Sequence, residues 1–138
     1  MADPRRWIYG GLDAAAAVAY ATAIVVALPS RHASAVIHLW SIPVAAAVAA
    51  AGMLVGGARG RRIALVGTAA WLAATFLLVV RICVSAAFLA GVYGAFGKAA
   101  ASGAVVIVAL VVELVALLPL VQAKYLMSRA GRRAYAAG

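Results

Sequence analysis

Gly103-Ala104-Val105-Val106-Ile107-Val108-Ala109-Leu110-Val111-Val112-Glu113-Leu114-Val115-Ala116-Leu117-Leu118-Pro119-Leu120-Val121 is an apolar run interrupted by one carboxylate at its middle. About 20 such residues, wound as a helix, cross the hydrocarbon core of a bilayer. Three further apolar runs precede this one, so its reading as a membrane span sets the reading of the whole chain. An ionisable side chain at bilayer depth is expensive and by default marks a functional site with a partner. Glu113 is therefore the first candidate site residue.

Composition supports the same class. Of the 138 residues, 68% are hydrophobic and 11% charged, against roughly 45–50% and 25% in soluble domains. The length suits one helical unit and leaves no room for a separate soluble catalytic domain. The net charge of +9 comes from cations beside and between the apolar runs. There they act as orientation signals and contacts for anionic headgroups, so nucleic acid is not an expected partner. Cys83 is the single cysteine, which leaves no intrachain disulfide, no redox pair and no thiolate metal site.

Working outward from the last run, the expected fold is all-α: four transmembrane helices in a bundle within one domain. They cover residues 10–28, 35–55, 63–96 and 103–123, followed by a basic tail over 124–138. Ser102 is the expected N-cap of the fourth helix, and Pro119 is expected to kink its last turns. The third helix is unusually long, about 50 Å at 1.5 Å per residue, with Gly91, Gly94 and Gly97 near its end. The glycine-rich, basic stretch 56–62 reads as a loop. Asp13 inside the first run and Arg31-His32 after it argue against a cleaved leader, so that run is expected to remain as a helix.

Lysine and arginine placement orients the layout. With both chain ends and the 56–62 stretch on one side, Arg5, Arg6, Arg59, Arg61, Arg62, Lys124, Arg129, Arg132 and Arg133 collect there. Arg31 and Lys98 fall on the other side. This asymmetry places both termini in the cytoplasm, and the expected location is a bacterial cytoplasmic membrane.

The polar residues within the runs are few. Arg81 is the one strong cationic candidate for pairing with Glu113; the alternatives are snorkelling to the outer boundary or binding an anionic substrate. Asp13, one turn inside the first helix, is expected to meet Arg59, Arg61, Arg62 or the tail cations. Along the second run Ser41, Ala45, Ala49, Gly52 and Gly56 form a small-residue stripe that admits a close helix neighbour. His32 and His38 do not share a helix face and have no adjacent ligand, so no metal site is expected, and no cofactor.

Three function classes follow. The leading one is a non-enzymatic membrane subunit or partner-binding helical bundle, either a homo-oligomer or joined to another membrane protein, because the small-residue stripe on the second helix offers a packing surface and the polar residues are too few to line a pathway. The alternative is an oligomeric small-solute or ion transporter or channel built on Glu113 with Arg81. An enzyme acting on lipid or quinone ranks last, since no nucleophile–base pair, metal cluster or phosphate loop is visible.

Overall fold

The computed structural model describes the backbone of residues 4–27 and 33–136, and among these residues the chain is helical with no strand. The helices are α1 (Pro4–Ala27), α2 (Ala33–Val55), α3 (Gly57–Val92), α4 (Gly94–Val111), α5 (Leu117–Met127) and α6 (Arg129–Ala136), with a π-helical turn, Val112–Ala116, joining α4 to α5. Four spans are long and apolar enough to cross a membrane: Pro4–Val26, Val36–Val55, Gly57–Val92 and Gly94–Met127. The protein is a four-helix membrane bundle with α3 as the long helix. Leu28–His32, which contains the expected turn between the first two spans and His32, lies outside the described residues.

Helix boundaries differ from the sequence expectation in ways that local chemistry explains. The basic stretch 56–62 is not a loop; the chain reverses at Gly56 and Gly57, with φ of 75° and 62°, and α3 starts at once. Arginine and alanine are good helix formers, and the remaining glycine, Gly60, is needed for close approach, since a Cβ there would lie 2.7 Å from the Gly52 carbonyl oxygen. At the far end α3 stops at Val92, and a single residue, Tyr93, separates it from α4. The reversal is set by Gly94 at φ 55°, a left-handed conformation that costs other residues roughly 1–2 kcal/mol. Residues 94–102 are therefore helical, and Ser102 is no cap. It sits inside α4, where its Oγ donates to the Lys98 carbonyl at 3.1 Å.

Small residues bring α2 and α3 together. A Cβ at Gly67 would run into the Ala49 backbone, and one at Gly52 into the backbone of Ala64 and Gly60. Ala45, Ala46, Ala49 and Ala50 are buried along this seam. In lipid, where apolar surface gains nothing by leaving tails for side chains, such close backbone contact is the main source of association. Two apolar clusters result. Ile42, Ala45, Ala46, Trp71 and Ala74 form one, with Ala16, Tyr20 and Leu118 packed against it. Met53, Ala64, Tyr125, Leu126 and Tyr135 form the other, beside Tyr9 and Leu65.

The second cluster closes the basic end. After Met127 the chain turns at Ser128, whose Oγ accepts from Gly131 N at 3.0 Å, an N-cap arrangement. Helix α6 then folds back, buries Tyr135 (2% exposed) and directs its hydroxyl to Met53 Sδ at 3.1 Å. The tail is thus anchored in the bundle on one face, with Arg129, Arg132 and Arg133 exposed on the other.

Candidate functional site

Glu113 sits in the π-helical turn, and Pro119 accounts for that turn. In the i→i+5 register the N–H due to reach the Leu114 carbonyl belongs to residue 119, and proline has none. Tyr20 of α1 supplies the bond instead, its hydroxyl donating to Leu114 O at 3.3 Å. The Tyr20 ring in turn stands edge-on to Trp71, with centroids 6.1 Å apart at 86°. The expected kink thus takes the form of a widened turn, and it is this turn that carries the acid.

The Glu113 side chain is exposed on the outer surface of the bundle. Around it Val106, Leu110, Leu114, Leu117 and Leu120 are all exposed as well. The bundle interior does not enclose the acid, as pairing with Arg81 required. Arg81 is also exposed, and no ion pair joins the two among the described residues. Register explains the separation. Gly97 packs against Leu89, and Arg61 donates to the Leu126 carbonyl at 2.9 and 3.1 Å. The antiparallel α3 and α4–α5 therefore put Glu113 level with Ala73 and Ala74, and Arg81 about eight residues, or about 12 Å, further along.

Depth follows from the same register. The rise from Arg62 to Arg81 is about 28 Å, close to the roughly 30 Å hydrocarbon thickness. Arg62 and Arg81 are thus spaced like the two faces of a bilayer core, with Glu113 near the middle of that interval. Beyond Arg81 the α3–α4 hairpin continues for about 16 Å, with Phe88, Tyr93 and Phe96 exposed.

Asp13 does not meet the basic stretch as expected. It is fully buried and accepts a hydrogen bond from Gln122 Nε2 of α5, while Arg61 is occupied with the Leu126 carbonyl. Thr68 of α3 is buried as well, between Ala64 of one apolar cluster and Trp71 of the other along the helix. Asp13 Oδ2, Gln122 Oε1, Thr68 Oγ1 and Trp71 Nε1 are buried without a hydrogen-bond partner among the described residues. Sequence reasoning missed Gln122, although it is the only carboxamide side chain in the chain and lies within a span. Both facts were available as signals.

The α2 stripe is used within the chain. Ala45, Gly52 and Gly56 are buried and Ser41 is half-buried, its Oγ donating to the His38 carbonyl at 2.6 Å. The close neighbour that the stripe admits is α3 of the same molecule. At the basic end Arg6 stacks over Trp7 and Tyr135, 5.1 and 5.7 Å from the ring centroids. Burial pushes the Tyr135 phenol up to about 12, against the smaller lowering effect of Arg6. No group of three metal-ligating side chains occurs among the described residues.

Searches of protein-family models, of curated proteins and of solved structures found no match to this chain.

Proposed function

We propose that this membrane protein is a non-enzymatic subunit that works by lateral association, and that the Glu113 face of α4–α5 is its contact surface. The observation that carries this reading is a carboxyl group exposed on the outside of the bundle near mid-bilayer. Ionisable residues at such depth normally face protein or water and pair with one another, and here lipid offers neither. The partner that fits by symmetry is a second copy. Two parallel copies related by a two-fold axis along the membrane normal bring their Glu113 groups to one depth, where the carboxyls hydrogen-bond to each other. The exposed Leu110, Leu117 and Leu120 on the same helix supply the apolar contact. The basic end faces the cytoplasm of a bacterial cell, and its cations lie against anionic headgroups.

A cysteine at position 117 in a Cys83→Ser background tests the contact surface. Oxidation in native membranes is expected to give a disulfide-linked dimer of Leu117→Cys, and none from Val66→Cys on α3. Cross-linking that fails at 117, or that is equal at both sites, rejects the proposed face.

The widened turn under Glu113 favours a second reading, since π-turns are frequent at functional sites. In that reading the assembly moves a proton, ion or small solute through Glu113. Flux in proteoliposomes separates the two: transport requires loss of flux in Glu113→Gln, whereas a purely associative role gives no flux in either protein.

A further inference from the structure

A groove of about 550 Å³ runs between α2 and α3, lined by Ile37, His38, Ala70, Ala74, Leu77 and Arg81 among others. Its long wall, from Arg81 to Ala70, covers about 16 Å of helix rise. That is the depth of one leaflet, half of the roughly 30 Å hydrocarbon core. The wall is alanine and leucine for its whole length and carries a cation at one end only, the end that lies at the bilayer face. Arg81 is exposed there, with no partner among the described residues. His38 lines the opposite wall across from it.

We propose that this groove binds an anionic phospholipid of the leaflet opposite the basic end. One acyl chain lies along Leu77, Ala74 and Ala70, and the phosphate accepts hydrogen bonds from Arg81 at the groove's end. Length, polarity and depth all match that occupant. A guanidinium presents a planar fork of donors suited to phosphate oxygens. A zwitterionic head would bring an ammonium beside Arg81, so phosphatidylglycerol is preferred over phosphatidylethanolamine. The site is independent of the Glu113 face, which lies on another helix.

Native mass spectrometry of the full chain, released from vesicles of equal phosphatidylglycerol and phosphatidylethanolamine, tests the site. The expected result is one retained phospholipid per chain, enriched in phosphatidylglycerol. Arg81→Gln is expected to lower that enrichment about tenfold, the scale of a hydrogen bond to a charged group. Ala73→Phe, which fills the groove from its open side, is expected to abolish retention, while Val66→Phe elsewhere on α3 retains the lipid. The proposal is overturned if the wild type keeps no lipid, if a fatty acid or quinone is retained in its place, or if Arg81→Gln leaves the enrichment unchanged.

Discussion

Asp13 and Gln122 show how a single polar pair ties the first span to the last. Both side chains are buried between the two apolar clusters, and each keeps one oxygen without a partner. Removing one member strands the other, which costs about 1–3 kcal/mol, while replacing both with apolar groups is nearly neutral. Gln122→Leu is therefore expected to lower the thermal unfolding midpoint in detergent, and the double variant Asp13→Leu/Gln122→Leu to recover most of the loss. A double variant less stable than the single one contradicts this account of the pair. Tyr135 carries a second residue-scale expectation, in alkaline solution. Its phenol titrates at about 12 in the folded chain against 10.0 normally, chiefly through burial. The folded state keeps a proton that the unfolded state releases. This contribution to stability is whole below about pH 10 and is lost as the pH rises towards 12. Unfolding titrations of Tyr135→Phe should lack that alkaline loss; an identical loss in wild type and variant assigns it elsewhere.

At the scale of the helices, close approach and backbone freedom can be separated by substitution. Gly67 lies where any Cβ meets the Ala49 backbone, whereas Gly103 has open space around it. Gly67→Leu is expected to force α2 from α3 and destabilise the bundle by about 1–3 kcal/mol or more. Gly103→Ala, inside α4, is expected to stabilise by about 0.5–1 kcal/mol. Thermal melts of the two variants read both effects, and equal behaviour contradicts the packing described. The helices were largely legible in the sequence because apolar length alone reports a span. Their ends were less so. A Gly-Gly turn followed by Ala-Arg-Gly-Arg-Arg reads as a loop by composition, yet only Gly56 and Gly57 turn. Residues 94–102 read as a connection, yet one left-handed glycine completes the reversal. The widened turn at 112–116 was foreshadowed only by Pro119, since a proline marks a missing bond without saying how the helix absorbs it.

For the whole molecule, the sequence identified Glu113, Arg81 and Asp13 as the isolated charges but not their surroundings. Which face of a uniformly apolar helix turns inward depends on register, and register here is set by glycine–backbone contacts that leave little periodic trace. Glu113 thus points outward and Asp13 inward, the reverse of their expected roles as core and interface groups. The proposed placement of Arg81 at one bilayer face brings a simple check, because Cys83 follows it and is exposed. A membrane-impermeant maleimide added outside intact cells should label Cys83; labelling only from the cytoplasmic side, in inverted vesicles, reverses the proposed orientation. The central claim is that an outward acid at mid-bilayer makes association obligatory. Energy transfer between donor- and acceptor-labelled chains in liposomes, at rising lipid-to-protein ratios, tests it most directly. The expected result is transfer that persists on dilution for the wild type and collapses to the random-collision level for Glu113→Leu. Wild-type transfer at the random level, or transfer unchanged by Glu113→Leu, contradicts the claim.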